Sequence, residues 1–203
     1  EAVVATAPDP ADPPGNAPCV ATDRTGLLAA AGSRYAPSAP LADLPARLAE
    51  HRAHGRRFAF VGKPCDAAAL RAMAGRDPQV AAAFPVILSF FCAGVPSRAG
   101  AAALLAALGA DPARVVALRY RGQGWPGRAV ATMDDATTLS MGYAESWGRI
   151  LSRHLQHRCK ICADGAGTAA DLVCADAWDC DEAGYPRFEE GEGTSLVVAR
   201  TAR

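Results

Sequence analysis

Between Arg57 and Tyr120, short apolar runs alternate with stretches of helical character. Arg57–Val61 alternates in bulk and stops at Gly62, Phe84–Phe91 is a continuous apolar run, and Val115–Tyr120 is a third such segment. In the intervals, Asp66 reads as the N-cap of a helix over Ala67–Ala74, and Pro96-Ser97 leads into a helix over Arg98–Leu108. Strand, helix, strand, helix, strand is the α/β signature, and a run as apolar as 84–91 suits the buried middle of a parallel sheet.

The flanks have other textures. Residues 7–18 (APDPADPPGNAP) are so rich in proline that they predict a linker or surface loop. Short helices follow over Arg24–Ala31, closed by Gly32-Ser33, and over Leu41–His54. Past Tyr120, Ala129–Met133 and Thr137–Met141 predict a hairpin around Asp134-Asp135. Glu145–Leu155 is amphipathic, with Trp147, Ile150 and Leu151 on one face. A Cys- and Gly-rich loop spans 157–168, and strands are expected over Asp171–Ala175 and Ser195–Thr201. The expected class is α/β: a mixed, largely parallel sheet with flanking helices, a Cys-rich loop and a short antiparallel hairpin. The division is a linker over 1–18, ending a longer N-terminal region, and one domain over 19–203.

Composition narrows the function. Lys plus Arg equals Asp plus Glu at 21 each, and no basic run exists, which argues against nucleic-acid binding. The most apolar stretch, Val80–Val95, is too short to span a bilayer and is interrupted by Pro85. Glu1–Pro18 has neither the basic nor the apolar region of a signal peptide, so a reducing cytoplasm is expected. Seven cysteines there point to metal or redox chemistry rather than to disulfides.

Cys159-Lys160-Ile161-Cys162 brings two thiolates to one centre, as half of a zinc site or half of an iron–sulfur site. It follows a helix and enters a Gly-rich loop, which disfavours a thioredoxin-like pair, since that pair sits at a helix N-terminus. Cys65 and Cys92 each stand just past an expected strand end. In a parallel sheet both would lie at the carboxyl edge, where open α/β sheets build their sites. Cys65, Cys92, Cys159 and Cys162 are therefore the expected ligand set, with zinc and iron–sulfur both open. Cys19 and Cys174 read as structural, and acidic neighbours disfavour Cys180. His154 and His157 flank the motif and are read as ordinary histidines.

Several motifs occur in one order: Gly62-Lys63-Pro64-Cys65-Asp66, Phe91-Cys92-Ala93-Gly94-Val95-Pro96-Ser97, the 119–128 run RYRGQGWPGR, Arg158-Cys159-Lys160-Ile161-Cys162, Asp176-Ala177-Trp178 and Ser195-Leu196-Val197-Val198. Together with Gly32-Ser33-Arg34-Tyr35, they resemble the C-terminal domain of the coenzyme F-420 hydrogenase/dehydrogenase beta-subunit family over residues 26–203. The family's usual Gly before Asp176 is Ala175, and its usual Pro after the second cysteine of the pair is Ala163.

The resemblance implies an oxidoreductase carrying FAD and a 4Fe–4S cluster, with iron rather than zinc on the four cysteines. It implies ferredoxin or a redox subunit as partner, and a deazaflavin or other small molecule as substrate; family members include ferredoxin-dependent reductases of tetrapyrroles. Reduced flavin is anionic near N1, so Lys63 is the candidate fixed cation. Gly122, Gly124 and Gly127 let backbone N–H groups approach a pyrophosphate, Arg121 can pair with it, and Trp125 can stack on a ring. Gly32, Ser33, Tyr35 and Asp176 complete the expected flavin contacts. No Ser-His-Asp triad and no P-loop are present.

Overall fold

The computed structural model describes residues 1–201. It begins with an antiparallel hairpin, β1 (Ala2–Asp9) and β2 (Asp12–Ala21), where the proline density predicts a linker. That expectation is corrected by the position of β2 at the sheet edge, where a proline need not donate to a ladder. Its spare carbonyls also find side-chain donors. Arg34 Nη2 donates to Gly15 O at 2.5 Å, and the Tyr120 hydroxyl donates to Pro14 O at 2.6 Å.

Helices α1 (Arg24–Ala30) and α2 (Leu44–His54) lead into β3 (Phe58–Val61). Next come α3 (Pro64–Ala74), α4 (Pro78–Ala83), β4 (Val86–Phe90) and α5 (Arg98–Leu108). Helix α3 starts three residues before the expected start, with Lys63 rather than Asp66 as N-cap. Pro64 explains this, because its fixed φ suits the first helical position and its missing N–H is no loss there. Asp66 then sits in the first turn, where a carboxylate meets the positive end of the helix dipole.

The main sheet closes with β8 (Leu172–Asp176) and β9 (Ser195–Ala199), in the order β2-β1-β3-β4-β8-β9. Strands β1, β3, β4 and β8 run parallel, and β2 and β9 are antiparallel edges. Phe58, Phe60, Ile87 and Val173 point to one face and pack with Leu70, Val80 and Phe84. Phe58 and Phe84 stack with centroids 5.5 Å apart. On the other face, Phe90 pairs in register with Cys174 and Cys174 with Val197, and all three are exposed. Strand β4 is thus buried on one face among the described residues, and not on both as its apolar run suggests.

The third apolar run, β5 (Val115–Arg119), leaves this sheet. It pairs antiparallel with β6 (Ala129–Met133), which pairs with β7 (Thr138–Met141). The strand–helix–strand reading over 57–121 therefore holds for two strands, and the third founds a second sheet. Leu104 and Leu105 of α5 pack on Leu118, Tyr120, Ala131 and Leu151 to make a second core.

The expected helix over 145–155 is a wide π turn over Ala144–Ile150 followed by a tight 3-10 turn over Leu151–His154. The chain is drawn out of helical geometry because residues 154–156 pair with residues 95–97. Ser97 N donates to His154 O at 2.8 Å, and Gln156 N donates to Val95 O at 3.0 Å. A last short helix, α6 (His157–Lys160), carries Cys159, where the sequence predicts a loop.

Candidate functional site at the carboxyl edge

The carboxyl ends of β3, β4 and β8 form one edge of the main sheet, and most candidate residues lie along it. Gly62 N still donates to Leu88 O at 3.2 Å, so the turn after β3 begins in register with β4. Cys65 follows in the first turn of α3. Cys92 follows β4, and its N–H donates to Gly165 O at 2.9 Å, which ties the Cys-rich loop to the strand end.

The turn at 94–95 links two of the cysteines. Gly94 N donates to Cys92 Sγ and Val95 N to Cys159 Sγ, each at 3.4 Å. Gly94 has φ +108, and a Cβ there would stand 3.1 Å from the Leu155 methyls and 3.3 Å from Cys159 Cβ. Only glycine fits a turn that passes so close to Cys159 in that backbone state.

Burial pushes the Cys92 thiol up, the Gly94 bond pulls it down, and Cys159 and Cys65 push it up further. Burial also raises Cys65, aided by Asp66 and opposed by Lys63 and Arg158. These influences put Cys65 and Cys159 within electrostatic reach of Cys92, with Lys63 near Cys65 and Cys92 and Arg158 near Cys65. Cys162 is exposed, its thiol 3.5 Å from Asp164 O. Among the described residues, no three His, Cys, Asp or Glu side chains converge tightly enough to grip a single ion.

Lys63 is half-buried. Its ammonium donates to Ser38 Oγ at 2.5 Å and lies 2.6 Å from Asp66 Oδ2. It is therefore a fixed but paired cation on the cysteine side of the edge.

The Gly-rich loop meets the end of β8. Arg121 is 8% exposed and donates to Asp176 Oδ2 at 2.5 Å, and its Nε donates to Pro126 O. Burial lowers its pKa, but the bond and charge of Asp176 together with Tyr35 outweigh that and hold it above the usual value. The Trp125 indole donates to the other Asp176 oxygen at 3.3 Å. The guanidinium lies 5.0 Å from the Tyr143 ring centre and 5.2 Å from that of Trp178, within cation–π range. Tyr35 lies within electrostatic reach of Arg121 and Tyr143 and packs on the Tyr120 and Trp147 rings, and a Cβ on Gly32 would lie 3.8 Å from Arg121 O, so the 32–35 element backs this loop, with Ser33 half-buried in it.

Gly122, Gly124 and Gly127 have φ of +119, +137 and +78. A Cβ on Gly127 would stand 2.7 Å from Gly122 N, so the loop is folded tightly on itself. The candidates thus fall into two groups along one edge: cysteines with Lys63, and the Gly-rich loop with Asp176 and Tyr35. Sequence reasoning missed Tyr143, Phe188 and Glu190, which close over the second group, and the N–H groups of Gly94 and Val95. The Gly94-Val95-Pro96 turn was the one available signal for the latter.

The chain has counterparts among known proteins. The family model for the C terminus of the coenzyme F420 hydrogenase/dehydrogenase beta subunit matches residues 55–203, and the model for the N-terminal part of the same protein matches residues 1–44. The chain belongs to the coenzyme F420 hydrogenase/dehydrogenase beta-subunit family. The hairpin of β1 and β2 is thus part of the family's N-terminal region. The fold is similar to a chain of the F420-reducing NiFe hydrogenase complex from Methanosarcina barkeri, solved as a xenon derivative, with a TM-score of 0.61 at 18% identity. That similarity covers 87% of this chain and 58% of the other, so the chain spans under two thirds of its neighbour's length. No curated protein matches. No helix among the described residues is long and apolar enough to cross a membrane.

Proposed function

We propose that this chain is a redox module of an oxidoreductase, holding FAD and a 4Fe–4S cluster along the carboxyl edge of its main sheet. The observation that carries the reading is the 94–95 turn, whose consecutive N–H groups donate to Cys92 and Cys159. Hydrogen bonds to the sulfurs are one of the means by which proteins set the potential of an iron–sulfur centre.

The donor set fits a cluster. Cys65, Cys92, Cys159 and Cys162 would be its ligands, and four thiolates on one helix start, one short helix and two loop positions suit a bulky inorganic core. A structural zinc ion would use the same four thiolates, and the family match favours the cluster. The Gly-rich loop fits the phosphate end of a dinucleotide, since its positive-φ glycines leave backbone N–H groups unshielded. Arg121, Gly122, Gly124, Trp125, Gly127 and Asp176 would contact the flavin, backed by Gly32, Ser33 and Tyr35.

A bound flavin exchanges a hydride at N5 and a bound cluster exchanges single electrons. The chain's residues hold the two groups on one rigid edge and set their electrostatics. Lys63, beside Cys65 and Cys92, favours more negative, reduced states there, and Asp66 tempers it. The family name and the neighbour's F420-reducing complex favour a deazaflavin as the two-electron carrier. A ferredoxin or a partner redox subunit would take the single electrons.

The test is anaerobic purification followed by metal, sulfide and flavin analysis. The proposal expects about four irons and four sulfides per chain by the cluster's stoichiometry, with visible absorbance and extractable FAD. Zinc at one per chain with no flavin would replace the proposal with a structural metal site.

A further inference from the structure

Beyond Asp176, the chain runs for eighteen residues before β9, and this segment folds back over the Gly-rich loop. Gly191 N donates to Trp125 O at 2.8 Å. Gly193 lies so close to Trp125 that a Cβ would collide with its ring. Trp178 packs at a tilt on Trp125 with centroids 4.2 Å apart, and Phe188 meets Trp178 edge-on at 5.2 Å. Regular pairing within the segment is limited to the Cys180–Pro186 bridge, and its outer side is open, with Tyr185 71% exposed.

One contact gives this strap a chemical meaning. The Glu190 carboxylate accepts a bond from Gly127 N at 3.4 Å, and a Cβ on Gly124 would stand 2.9 Å from the same oxygen. The carboxylate therefore rests on the backbone of the Gly-rich loop, at a point where an anion would be received. Beside it, the Arg121 guanidinium is turned to Asp176 and the aromatic rings. The anion subsite and its cation are both satisfied from within the chain.

We propose that residues 178–194 form a strap whose Glu190 carboxylate holds the anion position of the Gly122–Gly127 loop, so that a phosphate-bearing ligand must displace it. The inference rests on the reading of that loop as the flavin pyrophosphate contact. Glu190 then raises the threshold for loading: a ligand with phosphates competes with a tethered carboxylate, and a ligand without them does not. Removing the like charge eases entry of the phosphates, and the shape of the strap stays the same.

The experiment is a fluorescence titration of FAD, and separately of riboflavin, into the full chain and into Glu190→Gln and Glu189→Gln. Glu189 carries the same charge one residue away, and no bond joins it to the loop among the described residues. Glu190→Gln is expected to tighten FAD about fivefold or more, the scale of one like-charge contact removed. Riboflavin affinity should stay the same, and so should FAD affinity in Glu189→Gln. An unchanged FAD affinity in Glu190→Gln, or an equal gain in Glu189→Gln or for riboflavin, overturns the strap. If FAD binds none of the three proteins, the flavin reading of the loop falls, and the strap with it.

Discussion

Arg121 Nη1 lies 2.5 Å from Asp176 Oδ2, and this pair ties the loop after the second sheet's first strand to the carboxyl end of the main sheet. Asp176 reaches Trp125 with its other oxygen. One carboxylate therefore positions both the cation and the aromatic ring of the Gly-rich loop. Asp176→Asn keeps the shape but removes the charge that a buried guanidinium needs. The expected loss is about 1–3 kcal/mol, less than for a fully buried pair because the Asp176 side chain is 36% exposed. Urea denaturation measures the stability, and tryptophan fluorescence reports the loosened Trp125. Unchanged values for both would show that Asp176 does not position the loop.

A second carboxylate, Asp171, has a structural task and a pH signature. Its side chain is 5% exposed, it accepts from Ile87 N at 2.9 Å, and it pairs with Arg71 at 2.8 Å. Burial alone would raise its pKa, but the bonds from Ile87, Arg71 and Thr201 hold it below the usual 3.8. A carboxylate depressed by folding adds stability above its unfolded value, and that stability is lost as pH falls through the folded one. Thermal stability should therefore fall below about pH 4, and Asp171→Asn should be less stable at pH 7 with a flatter acid limb. An acid limb of equal slope in both proteins would assign the pH response to other groups.

Much of this arrangement is legible in the chain, for local reasons. Cys65 and Cys92 can be set at a sheet edge because each follows an apolar run and precedes a helix, and strand–turn–helix order is a short-range signal. The illegible parts depend on distant partners. Prolines 13, 14 and 18 speak for a loop, yet they sit in an edge strand whose carbonyls are met by Arg34 and Tyr120. Val115–Arg119 reads like any buried strand, and only its pairing with 129–133 shows that it leaves the main sheet. The covering of Trp125 by Trp178 and Gly193 carries no periodicity at all, since it joins loops more than fifty residues apart.

The cysteine edge makes its own prediction through Gly94. An alanine there meets both a left-handed backbone and the Leu155 and Cys159 side chains. Gly55 also has a positive φ, at +65, but nothing lies within 4 Å of a Cβ built on it. Each alanine should cost about 1–2 kcal/mol of backbone strain. Only Gly94→Ala should also lower iron per chain after anaerobic reconstitution. Equal iron in the two variants would separate the 94–95 turn from the metal centre.

Lys63 can be tested by charge. It lies beside Cys65 and Cys92 and is paired with Asp66 at 2.6 Å. Lys63→Met removes a positive charge that favours the more negative, reduced state, so the midpoint potential of the bound centres should fall. Asp66→Asn frees the same cation, and the potential should rise. Iron content should match the wild type in both. Shifts of one sign in the two variants would show that they act by disturbing the start of α3 rather than through charge.

The two groups of residues share an edge but not a backbone, so they should fail separately. Gly127 has φ +78, and a Cβ there would collide with the backbone of Gly122 and Gly124, neither of which can move as a side-chain tip can. Gly127→Ala must therefore open the loop that would receive the phosphates. The 94–95 turn, α3 and the 157–165 segment hold their bonds without it. The expected protein has lost FAD affinity, measured by titration, and keeps the iron and sulfide of the wild type. Gly148→Ala, with nothing within 4 Å and an ordinary φ, is the matched control and should change neither. Loss of iron and flavin together in Gly127→Ala, with the control intact, would show that the cysteine edge and the Gly-rich loop form one cooperative site rather than two adjacent ones.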